Sequence, residues 1–198
     1  MAVLVIGNDV LADVPDINDF LGGVTKLLKE DGVATCEFPH LLQLIRFNQF
    51  DTIYHEHYSY LSLLAVDRIA RQMGLKVFDV EHLPTHGGSL RVYLQRSDTG
   101  ERRQETSVAD LQKEEITAGL GDLATYGEFQ SVTTGIKFAL LDFLLEQRRS
   151  NMKVAAYGAA AKGNTLLNYS GVRSDLIPYV VDRSPGKLGR YLPGSRIP

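Results

Sequence analysis

Val3-Leu4-Val5-Ile6 is an unbroken apolar run closed by Gly7-Asn8. A run without polar alternation is the pattern of a strand buried on both faces, as in a parallel sheet. Pro15-Asp16 then opens a stretch in which Phe20, Val24, Leu27 and Leu28 recur at helical spacing, and Asp31-Gly32 closes it. Residues 33–38 read as a second strand, ended by Pro39. Strand, helix and strand in that order make a βαβ unit, so the fold class is α/β. The spacing predicts a helix over 61–73, stopped by Gly74, and a strand over 75–80. Ser89-Leu90-Arg91-Val92-Tyr93-Leu94-Gln95 alternates polar with apolar, the mark of a half-buried strand. Joined to its predecessor by a turn over 84–88, it would finish the sheet as an antiparallel pair.

Residues 97–105 are polar and charged and read as a surface connection between two folding units. Helical spacing returns over 108–115 and 126–149, where Ile136, Leu140, Phe143 and Leu144 share a face ahead of Arg148-Arg149. A new α/β unit follows: a strand over 153–157, a tight loop over 158–163, a short helix to Tyr169 and a strand over 177–181. The pattern therefore divides the chain into a sheet-bearing region (1–96), a helical connection (97–150) and the start of a second unit (151–198).

Composition narrows the partners. With 198 residues, 44% hydrophobic and 23% charged, the chain has enough apolar material for a core of one or two domains. A net charge of -3 supplies no broad basic field, which disfavours nucleic acid. Cys36 is the single cysteine, so no intrachain disulfide and no cysteine-rich zinc site can form within these residues. Lying in an apolar strand, it reads as a core residue. A cytoplasmic protein is expected, because there is no membrane-length apolar run and no signal-peptide pattern.

The densest chemistry is Tyr54-His55-Glu56-His57-Tyr58, between a strand and a helix, where loops of an α/β sheet supply functional groups. Imidazole titrates near neutrality, and a neighbouring carboxylate suits a His-Glu pair to proton abstraction. A hydrogen-bonded surface loop with capping duties accounts for the same residues. A metal site drawing on Glu37 and His40 lacks the helical ligand spacing of hydrolase motifs, and no metal is expected. Pro84-Thr85-His86-Gly87-Gly88-Ser89 allows close approach of a ligand to backbone or is simply a hairpin turn. Gly158-Ala159-Ala160-Ala161-Lys162-Gly163, between a strand and a helix, offers free amides and one cation to a phosphate. It is neither a phosphate-binding loop ending in Gly-Lys-Ser/Thr nor a three-glycine dinucleotide fingerprint, which disfavours a nicotinamide-dependent oxidoreductase. Asp182 ends the next strand, where an acidic residue could take a ribose hydroxyl or cap a turn.

Asn8-Asp9-Val10-Leu11, the stretch from Phe50 to His57, Leu83 to Arg91, and Tyr157 to Asn168 together resemble, in order, the nucleotide-sugar C-methyltransferases. The resemblance implies a class I methyltransferase domain with S-adenosylmethionine as methyl donor, followed by a Rossmann-like domain that associates with the sugar nucleotide. It implies that this chain begins at the fourth strand of the methyltransferase domain. The zinc-binding region, three strands and the glycine-rich cofactor loop would then be missing, and the isolated chain would be inactive. By resemblance His57 is the base acting beside the sugar ketone, with Tyr54 and Glu56 in its pocket and Asn8 toward the cofactor. His86, Arg91, Lys162, Asn164 and Asp182 fall where the substrate nucleotide would be held. One departure stands out: Asp13 occupies a position where the family usually carries His, replacing a possible donor with an acceptor. A nucleotide-sugar-binding module without catalysis is the alternative.

Overall fold

In the computed structural model, which describes residues 1–198, the first apolar run forms β1 (Ala2–Asn8), yet Val3, Leu4 and Ile6 are exposed. This corrects the expectation of a doubly buried strand. β1 is the edge of a four-stranded sheet ordered β1-β2-β4-β3, and only its pairing with β2 is parallel. β2 (Leu28–Pro39) and β3 (Leu75–Leu83) each pair antiparallel with β4 (Ser89–Arg96), so the sheet is mixed. The apolar run could not reveal an edge position, because edge and centre differ in neighbours and not in local sequence.

α1 (Ile17–Leu27) starts at Asp16, whose carboxylate accepts the Asp19 amide at 2.9 Å. β2 follows it directly, so Asp31-Gly32 falls inside the strand and not at a helix stop. The β1–β2 register slips beside it, and a Cβ on Gly32 would stand 2.9 Å from the Ala2 carbonyl oxygen. Only glycine allows that approach. α2 (Leu41–Arg46) is too short for its periodicity to be read in sequence. α3 (Leu63–Gln72) is capped by Ser62, whose hydroxyl accepts the Ala65 amide, and Gly74 leaves it at φ 81°. Leu21, Val24, Val66 and Ala70 from α1 and α3 join Cys36, Phe38, Val92 and Leu94 of the sheet in one core.

Residues 97–105 do not separate folding units. The buried Gln95 amide brackets the Arg102 backbone, donating to the Arg102 carbonyl at 2.7 Å and accepting the Arg102 N–H at 3.0 Å, and the Glu105 amide donates to the Phe78 carbonyl at 2.8 Å. α4 (Thr106–Thr117) then packs on α3 and β3. The first unit comprises residues 1–49 and 55–125, and the second residues 50–54 and 126–198.

The second unit contains most of α5 (Leu123–Arg149), then β5 (Ala156–Tyr157), α6 (Ala161–Ser170) and β6 (Val180–Val181). Both expected strands shrink to two residues, paired in parallel. α6 begins at Ala161, so half of the expected loop over 158–163 is helix. Leu144, Leu167, Val172, Ile177 and Ile197 form the core, whereas Phe143 of the expected α5 face is 50% exposed. No helix is long and apolar enough to cross a membrane.

Candidate functional site

In the first unit, register brings four polar residues into one row across the sheet: Asn8 faces Glu37, Glu37 faces Arg91, and Arg91 faces Glu81. Paired residues point to the same side of a sheet, so the row forms one polar face. Arg91 divides its fork, Nη2 to Glu37 at 3.1 Å and Nη1 to Glu81 at 2.6 Å. Glu37 is buried and also accepts the Thr85 hydroxyl at 2.9 Å, and Glu81 accepts the Tyr93 hydroxyl at 2.9 Å. Burial first, then the bond to Glu81, raises the Tyr93 phenol above its ordinary pKa and keeps it a donor.

Beside this row, Gly87 and Gly88 turn with positive φ and His86 is left-handed at φ 54°. That backbone brings His86 Nε2 to 3.5 Å from Asp9 at the end of β1. Side chains at Gly87 or Gly88 would run into Gln49 and Gln43. His86 and Arg91 thus lie on one hairpin, each beside a carboxylate, and Asn8 is exposed at the end of β1.

The loop carrying Glu56 and His57 is tied down just after them. The Tyr58 and Ser59 amides both donate to the Ala12 carbonyl, at 2.9 and 3.0 Å. Residues 10–14 form a turn closed by the Asp13 and Val14 amides on the Val10 carbonyl, and Asp13 is exposed there. Ala12 is therefore a common anchor between Asp13 and the His57 loop. The His57 ring is half-buried, edge-on to Tyr60 with centroids 6.1 Å apart. Glu56 is exposed, and Tyr54 falls in the short stretch belonging to the second unit.

Sequence reading missed a second carboxylate centre. Glu115 of α4 is fully buried, accepts His40 Nε2 at 2.8 Å and takes the Leu63 and Leu64 amides at 2.6 and 2.8 Å at the start of α3. The signal was present: Glu115 stands seven residues after Val108 and four after Leu111, a charge in an apolar helical stripe.

In the second unit, Gly158 turns at φ 94° and its amide donates to Val181 at 2.7 Å. Asp182 clasps the loop, accepting the Ala159 and Ser184 amides at 2.8 Å each and Lys187 Nζ at 3.0 Å. Those donors, the Ser184 amide foremost, hold its carboxyl down to about 2. Lys187, unnoticed in sequence, also reaches the Ala159 carbonyl at 2.8 Å. Lys162 sits in the first turn of α6, which has no side-chain cap, while Asn164 accepts the Asn168 amide within the same helix. A cavity of about 520 Å³ adjoins Ala159, Asp182, Lys187 and Arg190.

Residues 84–198, more than half of the chain, match the C-methyltransferase C-terminal domain, and the chain belongs to that family. Over all 198 residues it is 37% identical to C-methyltransferase NovU of Streptomyces niveus, and it spans 47% of that relative's length. For S-adenosylmethionine, these residues offer the exposed Asn8 beside a single glycine, Gly7, which is buried against Phe20. They do not by themselves fit the donor.

Proposed function

We propose that this chain is the substrate-handling part of an S-adenosylmethionine-dependent C-methyltransferase acting on a carbon beside the keto group of a nucleotide-linked sugar. His57 is the general base. The observation that carries this reading is the anchoring of the His57 loop, through the Tyr58 and Ser59 amides, to the turn that presents Asp13. A base must be held in place to act, and two backbone bonds just after the imidazole do that. The ketone acidifies the neighbouring C–H. The neutral imidazole takes that proton, and the bonding pair passes into the enolate. The C-methyltransferase name of the relative supports the reaction class.

Proton abstraction needs no methyl donor, so this chain can be tested as it stands. In heavy water, a nucleotide-linked keto sugar should take up deuterium at the carbon beside the ketone, followed by proton NMR. His57→Ala should slow that exchange by roughly 10²- to 10⁴-fold. Equal exchange by wild type and variant removes His57 as the base. The chain alone should transfer no methyl group, and a micromolar dissociation constant for S-adenosylmethionine by calorimetry would contradict that.

A binding module without catalysis is the second reading, favoured by the exposed carboxylate of Asp13 where the family usually carries His. Under it the nucleotide sugar binds but no deuterium enters. Under the catalytic reading Asp13→His quickens exchange, because a donor replaces an acceptor.

A further inference from the structure

Asp9 at φ 53° and His86 at φ 54° both hold left-handed backbone, and their side chains meet, with His86 Nε2 3.5 Å from the Asp9 carboxylate. Such backbone is unfavourable in a residue other than glycine and persists only where its surroundings hold it. Here they do. The Thr85 hydroxyl donates to Glu37 at 2.9 Å, the Ser89 hydroxyl to the Thr85 carbonyl at 3.0 Å, and Gln49 Nε2 to the Gly87 carbonyl at 3.0 Å. The Asp9 amide donates to the Glu37 carbonyl at 3.0 Å. Glu37 therefore fixes both partners, the His86 turn through its side chain and Asp9 through its backbone. Half of each side chain of the pair stays open to water, and an ion pair so exposed contributes little to stability. Stability does not account for two strained residues brought face to face.

The strand end that carries Asp9 also leads to the anchor of the His57 loop. Three residues beyond Asp9, the Ala12 carbonyl takes the Tyr58 and Ser59 amides just after His57. Three residues of backbone span at most about 11 Å, so the segments bearing His86 and His57 are tied within reach of one sugar ring. With Nε2 turned to Asp9, the His86 ring meets a ligand through Nδ1. In the imidazolium form both nitrogens donate, one to the carboxylate and one to an oxygen where negative charge develops.

We propose that His86 is a second catalytic group, donating a hydrogen bond from Nδ1 to the ketone oxygen while His57 takes the neighbouring proton, with Asp9 as its positioning residue. This role rests on the keto-sugar reading above. The C–H bonding pair becomes the enolate π bond, the carbonyl π pair moves onto oxygen, and the His86 N–H stabilises that oxygen without giving up its proton. His86 thus serves the reacting end of the sugar and not its nucleotide.

The test uses the whole chain and a nucleotide-linked keto sugar labelled with ¹³C at the ketone, and reads deuterium uptake, the dissociation constant and the infrared carbonyl stretch of the bound sugar. His86→Asn and Asp9→Asn both place a residue that tolerates left-handed backbone, so the turn survives. His86→Asn should slow exchange roughly 10²- to 10³-fold and leave the dissociation constant nearly unchanged. Asp9→Asn should slow it less. A hydrogen bond lowers the carbonyl stretch, so wild type and His57→Ala should both show the lowered stretch and His86→Asn should not. Unchanged exchange in His86→Asn, a lowered stretch that survives it, or a loss of binding as large as the loss of rate removes His86 from the chemistry and leaves His57 as the base. If wild type takes up no deuterium, the keto-sugar reading falls and this role with it.

Discussion

Glu115 in the first unit and Asp182 in the second are each the hub of three donors, two of them backbone amides. Glu115 gathers the first amides of α3 and His40, and Asp182 gathers the Gly158 turn and Lys187. They differ in water. The side chains of Glu115 and His40 are both 0% exposed, whereas Lys187 is 45% exposed beside Asp182. The first hub sits within a large core and the second beside one of five buried residues. The same chemistry therefore does unlike work. In the first unit it ties α4 to the start of α3 out of reach of water, and in the second it orders a loop that water would otherwise satisfy.

Removing the dry hub should have the largest effect. Glu115→Ala leaves two helix-start amides and His40 without their acceptor, and His40 Nδ1 is already buried without a partner. Breaking a buried charged network by deleting one member costs about 3–5 kcal/mol. Urea unfolding should show that loss, and Glu115→Gln, which keeps an acceptor oxygen, should lose less. A loss under about 1 kcal/mol for the alanine variant would mean that water enters the pocket and the contrast with Asp182 is false.

Arg91→Lys probes an intermediate case, since Glu37 is buried while Glu81 is 42% exposed. A lysine is a point charge without a fork and cannot hold both carboxylates in these directions. About 1 kcal/mol should be lost, with most of the Glu81 part screened by water. Equal stability of Arg91→Lys and wild type would show that the row is a loose surface arrangement.

Much of this contrast lies beyond what a sequence displays. The α/β class, the βαβ start, the 84–88 turn and the order of helices and strands apart from α2 follow from local periodicity and turn residues, which the chain carries on its face. The row Asn8–Glu37–Arg91–Glu81 does not, because it depends on strand register, and β4 inserts between β2 and β3. The exposure of β1 was hidden for the same reason. Glu115 was legible as a charge in an apolar stripe, but its partners lie on segments distant in sequence. Asp182 was noticed as a strand-end acid; its clasp of Ala159 needs the fold. The residues around His57 were the easiest to find, since chemical density needs no tertiary information.

Asp182 should register through pH. Its folded carboxyl is held down to about 2, against about 3.9 when unfolded. A depressed folded pKa contributes order that is fully present above about pH 4 and is lost as pH falls toward 2. Protection of the Ala159 and Ser184 amides, measured against their intrinsic exchange rates at each pH, should therefore fall across that window in wild type. In Asp182→Asn protection should be low already at neutral pH and should show no such acid step. Identical acid profiles for the two proteins would remove Asp182 as the clasp.

The smallest effect is a silence with a use. Cys36 lies in β2 within the first core, and burial pushes its thiol up to about 12. Since the thiolate is the nucleophile, the folded protein at pH 8 should take up almost no iodoacetamide, and labelling should proceed only through opening of the first unit. The two hubs can then be separated in one assay. Glu115→Ala raises the population of opened first unit and should speed labelling, while Asp182→Asn frees a loop in the second and should leave the rate unchanged. If Asp182→Asn labels as fast as Glu115→Ala, the units do not open independently, and the contrast between a dry and a wet carboxylate would belong to one cooperative structure.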